Sequence, residues 1–408
     1  MRVVIGVLYT LLPEFVLFIV AALCVPYVAH FSASGLLAAE LASGFILVLV
    51  MVLSLQFNRS RIFFVLLNLT GLCVGLLLIA HSHDALTRET VEGVLCLFVP
   101  ANLLLFSFSE ERGIFSRYGG LRFGILAIEM LCIVALLGIP APAIVAALHV
   151  HFVDLAVLSH TRITQPGLLL LSIGLILLND RLILRHSPEL AAFFFSLVAV
   201  GIMLHRQDTA GMTVFAAAVA AAFGHAVIQE SWNMAYLDEL TGLPGRRALE
   251  EQMRQLASQH VIAMVDVDHF KRFNDTYGHD VGDQVLRFVA SRLQKHAGGG
   301  KPFRYGGEEF CILYPGRQPD EVVNILESLR ADIETCRFEM RRQERRTESQ
   351  NGIAQSAQNT GPLAITVSIG MAGSMEPEQD PWSVLKSADK ALYAAKGAGR
   401  NRVCLSGS

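Results

Sequence analysis

The stretch FRYGGEEFCILYP, residues 303–315, decides how the second half of the chain is read. Phe303 and Tyr305 lead into Gly306-Gly307. Phe310, Ile312 and Tyr314 then alternate with Cys311 and Leu313 until Pro315 stops the run. A glycine pair between two such runs signals a β-hairpin. A hairpin alone has no need of Glu308 and Glu309 directly after the glycines, whereas a site that binds a phosphorylated ligand through a metal does. By itself the segment leaves both readings open.

A second stretch bears on the choice. VIAMVDVDHF, residues 261–270, reads as a buried strand that ends in carboxylates, with Asp266 and Asp268 sharing one face. A carboxylate in such a run is costly to bury unless it is paired or binds a metal. If the two segments are neighbours in one sheet, Asp266 approaches Glu308 and Glu309. Hard oxygen donors of this kind suit Mg²⁺, which completes its shell with water and substrate phosphate. Lys271 lies just past the first strand, and Lys396 and Arg400 lie in ALYAAKGAGRNRV near the end of the chain. Carboxylates, metal and cations together point to nucleotide phosphate chemistry. Between the two stretches, Leu286, Val289, Ala290 and Leu293 line one face of an amphipathic helix. A turn at Thr241-Gly242-Leu243-Pro244 precedes another helix that begins at Arg246.

The rest of the chain is different in kind. The 408 residues are 53% hydrophobic and 17% charged, with mean hydropathy +0.47, too apolar for an ordinary soluble protein. That apolarity is confined to residues 1–229. Spans of about 20 residues are expected at 3–28, 36–55, 62–80, 91–108, 121–139, 142–158, 190–204 and 212–228. The shorter run 168–178 is expected to be re-entrant or interfacial. The first run is too long for a cleaved signal peptide, carries Glu14 and is followed by further spans. Arg59, Arg61, Arg112, Arg117 and Arg122 fall in alternate loops. With Arg162, Arg181 and Arg185 they orient the N-terminus and the soluble domain to the cytoplasm. Residues 230–240 read as a short linker helix and 241–405 as the soluble domain. The net charge of −3 gives no basis for nucleic-acid binding. The seven cysteines include no Cys-x-x-Cys pair and read as reduced thiols.

Polar residues within the apolar runs raise functional questions by default. His149, His151 and Asp154 could share a helical face and bind a ligand or proton; His81, His83 and Asp84 could hold a metal weakly. Glu14, Asn68 and Glu129 are further intramembrane polar groups. For all of these, interhelical hydrogen bonds and ordinary loop polarity are the competing explanation.

Five motifs in order, DELTGLPGRR, VDVDHFKRFNDTYGHDVGDQVL, FRYGGEEF, ITVSIGMA and ADKALYAAKGAGRNRV, resemble the GGDEF-domain diguanylate cyclases over residues 236–403. The resemblance implies an α/β (α+β) sandwich on a mainly antiparallel sheet, similar to nucleotidyl cyclase and polymerase palm domains, behind a polytopic α-helical membrane region. It implies condensation of two GTP into cyclic di-GMP and two pyrophosphates. Asp266, the Val267 carbonyl, Glu308 and Glu309 would hold Mg²⁺, with Mn²⁺ able to substitute. Glu308 and Glu309 would be catalytic, Glu308 assisting deprotonation of the ribose 3′-hydroxyl. Gly306 and Gly307 would let GTP approach the backbone. Asn274 and Asp283 would read guanine, and His279 would lie near the substrate. Lys271, Lys396 and Arg400, with the amides of His269 and Phe270, would meet the phosphates.

The same resemblance implies a homodimer, because each domain holds one GTP, in a bacterial inner membrane. The membrane region would answer an unidentified sensory ligand or protein partner. A silent GTP or cyclic di-GMP receptor is the alternative, and a transporter with a regulatory tail is a third reading. Two departures stand out. An Arg-x-x-Asp product-inhibition motif is replaced by Ala297 and Gly300, so strong feedback through that site is not expected. Residues 341–361 are a polar insertion, expected to be disordered unless they form a basic patch for anionic headgroups.

Overall fold

A computed structural model describes residues 2–138, 142–153, 161–185, 187–256, 259–336, 338, 363–374 and 379–407, without the side chains of 2–10 and 138. Asp154 and the insertion 341–361 fall outside the described residues. The chain divides into two compact units, Met1–Ser231 and Trp232–Ser408.

The first unit is helical: α1 (Arg2–Ala29), α2 (Ala33–Gln56), α3 (Ser60–His81), α4 (Ala85–Phe108), α5 (Arg117–Gly138), α6 (Pro142–Leu148), α7 (Gln165–Arg185), α8 (Pro188–Arg206) and α9 (Thr209–Tyr236). Eight of the described helices are long and apolar enough to cross a bilayer, but not the eight expected. The run 142–158 is not one of them, because α6 stops at Leu148 and His149 turns its Nδ1 onto the Val145 carbonyl, 3.1 Å away. His149 and His151 therefore lie beyond the helix, not on a shared helical face. The run 168–178 is instead the centre of the 21-residue α7. Its helix continues through Asn179, Asp180 and Arg181, where polarity had suggested an end, because Arg181 reaches the Ser107 carbonyl on α4 at 2.9 Å.

Burial within this unit is uneven. About 72% of the apolar stretch of α9 is covered, against 6% of that of α5. Ala216, Ala220, Ala222 and Ala226 of α9 are buried in the core of this unit, and its Phe223 meets Phe193 of α8 edge-on at 5.2 Å. Asp84 caps α4 through the Thr87 amide at 2.8 Å, and His81 bonds the Leu77 carbonyl. Both are local helix-end roles, in place of the metal site considered for His81, His83 and Asp84.

The second unit is a mixed five-stranded sheet between helices. Its elements are α10 (Arg246–Arg254), β1 (His260–Val267), α11 (Phe270–Tyr277), α12 (His279–His296), β2 (Lys301–Gly306), β3 (Glu309–Pro315), α13 (Pro319–Thr335), β4 (Val367–Gly373), α14 (Pro381–Gly397) and β5 (Val403–Leu405). The order is β2-β3-β1-β4-β5, antiparallel except for the parallel β4–β5 pair. β1 is central and buried on both faces, which accounts for its continuous apolar stretch from Val261 to Val265. Val261, Ala263, Val265 and Val267 join a core with Leu286, Val289 and Leu293 of α12 and Leu326 and Leu329 of α13. Ile262 and Met264 face the other way, toward Leu249 of α10 and Leu392 of α14. By alternation Asp266 falls on the α14 face. Gly370 lets that helix close down, since a Cβ there would lie 1.9 Å from the Leu392 nitrogen.

Candidate active site

The register of the sheet brings the two stretches together. Asp266, next to last in β1, pairs with Glu309 at the start of β3 and with Ser368 on β4. Directly opposed residues share a face. The Val267 amide donates to the Glu308 carbonyl at 3.3 Å, which ties the hairpin tip to the end of β1. The turn itself needs glycine: Gly307 has φ +34°, and Gly306 and Gly307 have nothing within 4 Å of a Cβ, so the tip is open to a ligand.

The Asp266 side chain is 6% exposed, and its Oδ2 meets Lys396 Nζ at 2.8 Å. Burial raises the Asp266 carboxyl above its ordinary range, and the Lys396 ammonium only partly offsets this. Glu308 and Glu309 are raised as well, first by burial and then by the Asp266 charge. Asp389 of α14 adds to the effect on Glu309. Arg400 contributes a further favourable charge at Asp266.

The three carboxylates thus carry more negative charge than Lys396 neutralises. As placed, no three His, Cys, Asp or Glu side chains among the described residues are arranged to hold a metal. The donor set nonetheless has the right chemistry for a hard divalent cation, for which one or two carboxylates plus phosphate oxygens suffice.

Beyond β1 the chain turns at His269, φ +58°, into α11, and no side chain caps the first turn. The amides at His269 and Phe270 are therefore placed at a helix N-terminus that favours anions. Lys271 and His279 are exposed on α11 and α12. Asn274 has a buried Oδ1 without a hydrogen-bond partner. Gly282 makes its position possible, since a Cβ there would stand 1.8 Å from that oxygen. Asp283 follows directly, half-buried on α12.

Three supporting residues were given no role in the site by sequence reasoning. Asp268 accepts from Thr366 Oγ1 at 2.8 Å, Ser368 Oγ at 2.6 Å and the Asn401 amide at 3.1 Å. It thereby holds the turn in which Arg400 (φ +66°) and Asn401 (φ +46°) adopt the left-handed conformation. Arg304 grips both oxygens of Asp238, at 2.8 and 2.9 Å, and donates to the Gly307 carbonyl at 2.8 Å. Burial would raise Asp238, but hydrogen bonds from Thr241 and Arg304 hold it below its ordinary range. The acid in DELTGLPGRR and the arginine in FRYGGEEF are thus two ends of one brace, a signal present in the motifs but visible only as a pair.

Residues 235–402 match the family model described as "Diguanylate cyclase, GGDEF domain". The chain is 37% identical to diguanylate cyclase DgcP of Pseudomonas aeruginosa over 44% of this chain and 25% of that protein. It is 27% identical to the uncharacterized protein YhcK of Bacillus subtilis over 80% of this chain and 92% of that one. The solved coiled coil and GGDEF domain of DgcB from Caulobacter crescentus, in complex with c-di-GMP, aligns with 44% of this chain and 89% of that chain at 32% identity and TM-score 0.38. The match to DgcP covers only about a quarter of that relative's length. The second unit of the chain carries a GGDEF domain.

Proposed function

We propose that the chain is a membrane-bound diguanylate cyclase that condenses two GTP into cyclic di-GMP and two pyrophosphates. The observation that carries this reading is the under-neutralised trio Asp266, Glu308 and Glu309 beside Lys396, brought together by the Asp266–Glu309 register and the Val267–Glu308 backbone bond. The family match of residues 235–402 supports it.

In this reading Asp266, Glu309, Glu308 and the Val267 carbonyl hold Mg²⁺, or Mn²⁺ in its place. The ion would supply charge stabilisation at the α-phosphate and at the departing pyrophosphate. Glu308 accepts the proton of the ribose 3′-hydroxyl, and a carboxyl raised above its ordinary range is the better base at neutral pH. Gly306 and Gly307 admit the nucleotide to the backbone. The His269 and Phe270 amides, Lys271, Lys396 and Arg400 take up phosphate charge. The unpartnered Asn274 Oδ1 and the Asp283 carboxylate accept from the guanine N–H groups, a pattern adenine lacks. A buried acceptor left unpaired by the wrong base is penalised, which gives selectivity. His279 lies at the edge of this pocket.

Each domain has one Asp266 site, and two phosphodiester bonds must form. Two GTP-loaded copies must therefore face each other, and proximity is the main lever for control. The eight apolar helices support a bilayer location. Arg59, Arg61, Arg112, Arg117, Arg181 and Arg185 flank the α2–α3, α4–α5 and α7–α8 connections. With α7 as a span, those connections and the end of α9 fall on one side, the cytoplasmic one. Arg162 then lies on the opposite side. The helical unit would sense an unidentified ligand or protein partner and set the pairing of the domains.

The test is to incubate the full-length protein in detergent with GTP and Mg²⁺ and to identify product by mass. Cyclic di-GMP from the parent and none from Glu308→Gln/Glu309→Gln supports the reading. GTP binding without product from the parent would overturn it in favour of a receptor.

A further inference from the structure

The helical unit holds a cavity of about 470 Å³ between α3, α4 and α5, within the size range of small-molecule sites. Its walls are apolar: Leu67 and Val74 of α3, Leu95 and Val99 of α4, Phe123 and Met130 of α5. Polar groups meet at one part of the wall. Asn102 Nδ2 donates to Glu129 at 2.7 Å and to Asn68 Oδ1 at 3.2 Å, and Asn68 Nδ2 donates to the Val99 carbonyl at 3.1 Å. The two asparagines are 2% and 7% exposed, so the network is fixed from behind. Both Asn68 groups are thereby occupied, and Thr70 donates to the Leu66 carbonyl. Glu129 is the ionisable group in the lining, and no cation pairs with it among the described residues. Gly71 lies in the wall, and a Cβ there would have nothing within 4 Å.

We infer that this cavity is a binding site for a lipophilic amine, its apolar body between α3, α4 and α5 and its ammonium on the Glu129 carboxylate. The argument is complementarity. An intramembrane carboxylate without a counter-ion is costly, and a cation of matching position is the partner it lacks. A bilayer acyl chain fills the apolar walls but leaves that carboxylate unmet. The loose packing of α5, covered over only 6% of its apolar stretch, provides a way in. The assignment is independent of the chemistry of the second unit.

The experiment compares octylamine, octanol and octanoate as probes of the full-length protein in nanodiscs, by saturation binding. The variants are Glu129→Gln, which removes the charge, and Gly71→Leu, which fills the cavity. Gly71→Ala, for which there is open space, controls for folding. The expected result is saturable octylamine binding that weakens at least tenfold in Glu129→Gln, is lost in Gly71→Leu and persists in Gly71→Ala, with no comparable octanoate binding. Equal binding of all three probes, or octylamine binding untouched by Glu129→Gln and Gly71→Leu, would overturn the inference.

Discussion

Each unit of the molecule contains a cluster of three acids, and the two clusters are built to opposite ends. In the helical unit Glu111, Glu189 and Glu230 meet Arg59, Arg61 and Arg122. Arg59 pairs with Glu230 at 2.8 Å, Arg61 pairs with Glu189 and lies 3.5 Å from Glu111, and Arg122 reaches Ser60, which itself bonds Glu111. Every acid has a guanidinium or its hydroxyl relay. In the second unit Asp266, Glu308 and Glu309 share Lys396, and Arg400 adds its charge at Asp266. A cluster neutralised from within joins helices; one left negative favours an external cation. The first cluster links the α2–α3, α4–α5 and α7–α8 connections to α9, so it serves packing.

The largest expected effect separates the clusters directly. Asp266→Asn should lower the rate of cyclic di-GMP formation by at least about a thousandfold, on the scale of removing a transition-state charge partner, with little loss of folding. Arg61→Ala should do the reverse. Glu189 is 3% exposed, and stranding it should cost roughly 3–5 kcal/mol of stability. A thermal-unfolding series in detergent checks this, and in Arg61→Met/Glu189→Leu much of the loss should return. If Arg61→Ala left stability unchanged, the contrast between the clusters would collapse.

A smaller effect is expected at Asp268. Its oxygens are taken up by Thr366, Ser368 and the Asn401 N–H, which fixes the turn of Arg400 and Asn401. Asp268→Asn should lower kcat/KM for GTP by about 10–100-fold, the range for residues that orient a metal's or substrate's direct ligands. Arg400→Ala should then have little additional effect in that background, because the two act through one contact. Full additivity in that double-mutant cycle would show that Asp268 acts elsewhere.

The contrast also predicts opposite responses to pH and metal. The raised carboxyls of Asp266, Glu308 and Glu309 bind protons more tightly in the folded state than in the unfolded chain. Their contribution is fully favourable below the ordinary carboxylate range and is lost as pH rises through their raised values. At neutral pH, Mg²⁺ without nucleotide should therefore raise the unfolding temperature of the second unit, and the gain should vanish as the medium is made acidic. Glu309→Gln should show the gain without metal. A Mg²⁺ effect independent of pH would mean that the ion binds outside this trio.

Much of this contrast was legible in the sequence, but unevenly. β1 and the hairpin could be read because alternation and the glycine pair are local signals, and Asp266 drew notice as a charge inside a buried run. Asp268 looked equivalent to it, since its partners Thr366 and Ser368 lie 98 and 100 residues away. Gly282 was hidden for the same reason: its need is set by Asn274 on another helix. In the helical unit hydropathy placed most of the long apolar helices but misjudged α6 and α7. His149 ends the former, and a cross-helix bond of Arg181 lets the latter continue through charge. Asn102 of the cavity network carried no signal within its apolar run.

The smallest expected effect concerns product. Ala297 and Gly300 occupy the positions at which the sequence resemblance implies an Arg-x-x-Asp motif, and the turn is built around their smallness. Ala297 is 4% exposed, and a Cβ at Gly300 would lie 2.5 Å from the Tyr314 ring. Gly298 and Gly299 have φ of +56° and +93°, which disfavours side chains there. The turn is closed by the Gly300 amide on the Ala297 carbonyl at 2.9 Å. Cyclic di-GMP added to the protein should therefore produce no sub-micromolar inhibition of the proposed activity through this loop. Gly300→Asp should destabilise the fold without creating inhibition, because the new side chain would displace Tyr314 before it could reach a ligand. Potent inhibition abolished by changes at 297–300 would show that the turn opens to bind product.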